Sequence, residues 1–156
     1  MTPLPAPPFL LPMTRLRIAV APLVSLGAAP GGERRFVPLG QGTAEGPELS
    51  GTIVEGGIDW QTLRGDGVLE IDAHYVIRTG DGALVEVTSQ GLRHGPAEVM
   101  AQLARGEAVP RDAYFFRTGM RFQTGAPAWL HLSRVMAIAV GERHADEVRL
   151  DVYRID

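Results

Sequence analysis

Glu70, Asp72 and His74 fall on alternate positions of the stretch VLEIDAHYVIR, so an extended backbone sets all three on one side of a strand. Closely spaced carboxylates raise each other's pKa, and a histidine among them exchanges a proton near neutrality. That set suits cofactor-free acid–base work such as isomerisation, cyclisation or hydration. The same spacing also describes an ordinary half-buried strand, with Ile71, Ala73, Tyr75 and Ile77 against the core and the charged row in water. Just upstream, GGIDWQTLRGDG adds Asp59, Trp60 and Arg64. Trp60 reads either as a plug of the core or as a stacking wall for a planar ligand. Arg117, set among aromatics in YFFRTG, reads either as a ligand clamp at a pocket wall or as half of a core ion pair with Asp59 or Asp72.

Positioning these side chains falls to strands. Alternation and turn residues mark eight of them: LRIAV, RRFVPL, ELSGTIVE, VLEIDAHYVIR, ALVEVTSQ, AYFFRTGMRF, LSRVMAIAV and EVRLDVYRI. GPAEVMAQLARGE is different. Pro96 at its start, Glu98 in the first turn, Val99, Met100 and Leu103 on one face, Arg105 in the last turn and Gly106 as a stop predict one short helix. So many antiparallel strands in a small chain predict an all-β fold closed into a barrel, because closure removes exposed edges. The turn RTGDGA sets which rows meet. A two-residue Gly80-Asp81 loop pairs Tyr75 with Glu86, whereas a further loop residue, with Gly82 as a left-handed bulge, turns Glu86 and Thr88 toward His74.

The chain has 156 residues, 45% of them apolar, which fits one domain over residues 13–156 behind a proline-rich, flexible lead-in over residues 1–12. Its net charge of −3 argues against a nucleic-acid partner, and its apolar runs are too short to span a membrane. There is no cysteine, and all fifteen Lys or Arg positions are arginine, which excludes thiolate sites and lysine Schiff-base chemistry. GQGTAEG has the wrong glycine spacing for a dinucleotide site and reads as a turn. His74, His94, His131 and His144 lack metal-ligand spacing, and no Gly-x-Ser-x-Gly elbow is present. No cofactor or metal is expected, and the expected location is cytoplasmic.

The run from GT.EGPELSGTIVEGGIDW to TSQGLR, with YFFRTGMRFQTGAPAWL and the closing GER…V.LDVYRI, resembles the domain of unknown function 3237 family. The resemblance implies a compact, calycin-like β-barrel with a short helix and no assigned activity. Its Asp-Trp pair falls on Asp59 and Trp60, its Arg-x-Asp-Gly on Arg64, Asp66 and Gly67, and its strand arginine on Arg117. Where a compact Trp-Leu-Asn segment is expected, this chain reads WLHLSR, placing His131 there.

Three functions follow as expectations. The first is a barrel whose interior binds a flat, partly apolar, oxygen-bearing small molecule, with Arg117 or Arg64 at its negative end and Asp59, Trp60, Glu86 and His131 completing the binding set. The second adds acid–base catalysis by Asp72, His74 and Glu70. The third is a structural or assembly role, with pairing into a homodimer or a higher homo-oligomer. For either of the first two, Trp60, Arg117 and Asp72 or His74 should border one cavity.

Overall fold

The computed structural model describes all 156 residues. Nine strands are formed: β1 (Leu10–Val20), β2 (Val24–Ala29), β3 (Gly32–Glu45), β4 (Gly51–Leu63), β5 (Leu69–Thr79), β6 (Leu84–His94), β7 (Phe115–Gln123), β8 (Met136–Arg143) and β9 (Glu147–Ile155). Every pairing is antiparallel, in the order β1-β9-β8-β7-β6-β5-β4-β3. The ring closes where β1 returns to β3, from Arg15 opposite Glu45 to Val20 opposite Leu39. The result is a closed eight-stranded barrel, as expected, with β2 as an additional strand along the first half of β3. No helix is long and apolar enough to cross a membrane.

Four local expectations change. The segment APLVSLGAAPG, rich in proline and glycine, contains β2, which lies outside the ring with every residue exposed. GQGTAEG is no turn, because β3 runs on through Glu45; Gly42 is opposite Ile18 on one side and Ile53 on the other, and pairing on both edges holds it extended. Pairing in β1 begins at Leu10, opposite Ile155, within the segment read as a lead-in, and Pro12 is tolerated because the register shifts beside it. Leu132–Arg134, read as strand, belongs to a 3₁₀ turn (Pro127–Arg134) that buries Leu132.

The helix, α1 (Ala97–Ala104), lies where expected, with Pro96 as its N-cap and Gly106 at φ 76° ending it. The β5–β6 hairpin adopts the longer loop: Gly82 has φ 86°, and His74 stands opposite Thr88.

Strand alternation divides the barrel. Leu16, Ile18, Ile77, Val85, Val87, Met120 and Ala139 point inward and fill most of it with apolar side chains. Toward one end the same inward rows become polar, carrying Arg35 from β3, Asp59 and Gln61 from β4, Arg93 from β6 and Arg143 from β8. Helix α1 follows β6 at this end, and Gly106 packs near Ala145 between β8 and β9.

One packing contact shapes the passage between the two regions. Gly141 on β8 lies under the Phe116 ring, whose atoms would come within 2.6 Å of a Cβ built there. Gly141→Ala should therefore push Phe116 off the wall and lower stability by about 1–3 kcal/mol, the usual cost of overfilling a packed core. Urea denaturation of the two proteins checks this.

Candidate functional site

The polar end of the interior is built around Asp59. Its Oδ2 accepts a hydrogen bond from Gln61 Nε2 at 2.7 Å, and Gln61 Oε1 accepts one from Arg35 Nε at 2.9 Å. Arg35 reaches Glu33 at 3.4 Å, so this side of the carboxyl ends in a chain of satisfied groups. The other side is open: Asp59 Oδ1 is enclosed and has no partner. The Tyr75 hydroxyl, from the inward row of β5, and Arg93 Nε are enclosed and unpartnered as well. Buried polar atoms are almost always paired, so the two orphans that border one cavity, at Asp59 and Tyr75, mark a place where water or a ligand is expected.

Asp59 and Tyr75 line the same small cavity with Ile71, Ser89, Phe116 and Thr118, and its volume is ≈ 30 Å³. Ser89 Oγ donates to Thr118 Oγ1 at 2.8 Å, which satisfies the far wall. Such a space holds about two waters or one functional group of a ligand, so the rest of a small molecule must lie outside it. Near it, Arg93 places its guanidinium over the Phe116 ring at 5.7 Å, and the Tyr114 hydroxyl accepts a hydrogen bond from the Arg143 backbone N–H at 2.9 Å.

Burial raises the Asp59 pKa to about 6 against the pull of its Gln61 hydrogen bond and the Arg93 charge. A carboxyl titrating there can both give and take a proton near neutrality. Burial, reinforced by Asp59, pushes the Tyr75 phenol upward, so it stays a neutral hydroxyl. Arg93 is lowered to about 10 by burial and then by the neighbouring charges of Arg143 and Arg35, with Asp59 acting in the opposite sense.

Of the residues singled out from sequence, only Asp59 lies in this interior. Glu70, Asp72 and His74 form a row on the outer wall, their side chains 51%, 43% and 52% exposed, because Ile71, Ala73 and Tyr75 take the inward side of β5. Asp72 Oδ1 lies 2.9 Å from His74 Nε2 and accepts from Gln90 Nε2 at 3.2 Å. Trp60 is also outside, packed on Phe36 with ring centroids 5.1 Å apart and the Arg34 guanidinium 5.0 Å away. Trp60 and Asp72 do share an open cleft on that wall, but Arg117 is not part of it. Arg117 faces outward against the Phe115 ring at 5.3 Å because Phe116 and Thr118 take the inward positions of β7.

Arg64 is held in the exposed β4–β5 turn by Asp66. Glu86 is exposed on the outer face of β6, and His131 stacks on Trp129 in the 3₁₀ turn, 6.1 Å between centroids. The expected common cavity of Trp60, Arg117 and Asp72 or His74 therefore does not form. No three His, Asp or Glu side chains are arranged to hold a metal ion.

The interior residues that sequence reasoning passed over had a weak signal. Val85, Val87 and Ser89 extend at period two through Gly91 to Arg93, and Ala137 and Ala139 extend through Gly141 to Arg143. An arginine ending a row of small or apolar residues is one that the barrel carries inward.

The sequence profile of the family described as "Protein of unknown function (DUF3237)" matches residues 8–155. A UPF0311 protein of Rhodopseudomonas palustris is 36% identical over 136 residues, 87% of this chain and 89% of that one. The crystal structure of a conserved protein of unknown function from the same species superposes with a TM-score of 0.90 at 33% identity, over 100% of both chains. A beta-barrel like protein from Acinetobacter baumannii gives 0.83 at 36% identity, over 97% of this chain and 98% of that one. A hydroalkoxylation enzyme, phnH, of Penicillium herquei is 45% identical over 47 residues, 30% of this chain and 31% of that one. An enzyme structure from that fungus shares the fold, with a TM-score of 0.73 at 22% identity over 100% of both chains.

The Asp59 pKa has a thermodynamic consequence. Unfolded, the group titrates near 3.8; folded, near 6. Between those values the native protein binds the extra proton, so this group's contribution to stability falls as pH rises through the window and levels off above it. The loss is about 3 kcal/mol at 1.36 kcal/mol per pKa unit. Asp59→Asn should remove it, gaining on the wild type by up to that amount between pH of about 4 and about 7 in urea titrations. Arg117→Ala, on the outer wall, should change stability by no more than about 0.5 kcal/mol in the same assay.

Proposed function

The chain belongs to the DUF3237 family, and from its interior geometry we propose that it is a cofactor-independent acid–base enzyme acting on a small, flat, oxygen-bearing molecule held at the polar end of the barrel. The observation that carries this reading is Asp59: an enclosed carboxyl, one oxygen anchored by Gln61 and the other free, facing a cavity beside the unpartnered Tyr75 hydroxyl. An anchored carboxyl with one free oxygen is oriented for proton transfer, and its pKa near 6 keeps both protonation states populated around neutrality.

Similarity to the hydroalkoxylation enzyme supports a choice among reaction types. Adding an alcohol across a carbon–carbon double bond moves one proton from oxygen to carbon and forms a carbon–oxygen bond, with no change in overall oxidation state. Asp59 in its acid form gives a proton to the alkene carbon, the hydroxyl oxygen attacks the adjacent cationic carbon, and the released proton returns to Asp59. The Tyr75 hydroxyl donates a hydrogen bond to an oxygen of the bound molecule. Apolar walls exclude the water that would otherwise compete as nucleophile.

Ring closure of 2-allylphenol-type compounds, followed by proton NMR in deuterated buffer, tests this. Wild-type protein should incorporate one solvent deuteron at carbon per cyclised product, with a rate that falls as pH rises through about 6 and the acid form of Asp59 is lost. Asp59→Asn should lower the rate by roughly 10²–10⁴, the usual contribution of a positioned acid. A correctly folded Asp59→Asn protein that turns over as fast as the wild type would remove Asp59 as the proton donor, and a wild type that cyclises none of these compounds would leave binding alone as the function.

A further inference from the structure

Beyond proton transfer, and resting on the interior being the binding site, the geometry points to a carboxylate-bearing substrate whose anionic group is received by the Arg93 guanidinium, with Arg143 contributing to the same positively charged end of the interior. The polar end holds three arginines and only one interior carboxyl. Arg35 is accounted for by Gln61 and Glu33. Arg143 spends its Nη1 on the carbonyls of His144 and Glu147, at 2.6 and 3.4 Å, and has no carboxylate partner. Arg93 is the exceptional member: its Nε is enclosed and makes no hydrogen bond, and its guanidinium rests on the face of Phe116.

A buried guanidinium without a counter-ion is costly, and two like charges nearby raise that cost. The fork formed by Nε and a terminal nitrogen matches the two oxygens of a carboxylate, which satisfies the orphaned donor and neutralises the surplus charge together. Asp59 does not fill this role, since its own Oδ1 is equally unpartnered. A free donor and a free acceptor therefore lie about Phe116 without pairing, since that ring lines the Asp59 cavity and carries the Arg93 guanidinium on its face. A molecule with its carboxylate at Arg93 and its reacting carbon toward Asp59 would answer both, and the Phe116 ring between them suits a planar, unsaturated body.

Benzoate and its neutral isostere benzamide test the inference, followed by calorimetry and by the Arg93 Nε–H resonance in nitrogen-edited NMR. Benzoate should bind saturably and move that resonance, and benzamide should bind about tenfold or more weakly. Arg93→Met should weaken benzoate roughly thirtyfold and leave benzamide unchanged. Arg93→Lys, which keeps the charge and loses the fork, should recover part of the loss and serves where the methionine variant does not fold.

Equal affinity for the two compounds overturns the carboxylate subsite and leaves the acid–base reading intact. So does benzoate binding that survives Arg93→Met, which would place it on the outer-wall arginines Arg15, Arg17, Arg111 and Arg149. Failure to bind either compound overturns the subsite too, while Asp59→Asn turnover judges the acid–base reading on its own.

Discussion

Pairing of β1 with β3 turns a nine-stranded sheet into a closed wall, and the chemistry of the interior depends on that closure. With the ring shut, side chains on the inward rows exchange water for one another. An aspartate in that position no longer has bulk solvent to stabilise its charge, so its pKa rises until proton transfer near neutrality becomes easy. The same carboxylate type on the outer wall, at Asp151 hydrogen-bonded by Arg15, is instead held below its ordinary value. Which side of the wall a residue faces decides which of these fates it meets.

The two ends of the interior carry different physical loads. The apolar stretch, with Leu16, Ile77, Val85 and Met120 at the limit of burial, supplies the hydrophobic stabilisation. The polar end spends some of it. Each enclosed atom without a partner, at Asp59, Tyr75 and Arg93, costs about 1–3 kcal/mol relative to a paired one. Ser89 with Thr118, and Arg35 with Gln61, show that this barrel can satisfy interior polar groups. Thr14 and His144 carry enclosed atoms without a hydrogen bond as well, but only Asp59 and Tyr75 share a cavity, and a cost borne by two groups beside one space is the pattern expected where stability has been exchanged for function.

The outer wall behaves in the ordinary way. Arg15 and Arg111 converge on Asp151, Arg17 and Arg149 on Glu147, and Arg154 on Glu48. These pairs are partly solvated, and each contributes little to stability. Outer-wall arginines that lack such a partner, among them Arg78 and Arg121, keep their charge in water, whereas Arg93 has neither a carboxylate partner nor bulk solvent.

Alternation, turn residues and the helix signals between Pro96 and Gly106 were sufficient to read an antiparallel barrel with one short helix, because these are local properties with a fixed period. The ring's strands were legible for the same reason. β2 was not, since the prolines and glycine around Val24–Ala29 carry no strand signal and only its pairing with β3 extends it. For the site, Asp59 was legible as a residue, but its role was not. Period two states that Asp72 and Tyr75 lie on opposite sides of β5; it also states that Glu86 and Thr88 share a side. It does not state which side is inside. That is settled only when eight strands close together and the larger apolar rows claim the interior, carrying Tyr75, Arg93 and Arg143 inward and leaving Glu70, Asp72, His74 and Arg117 in contact with water.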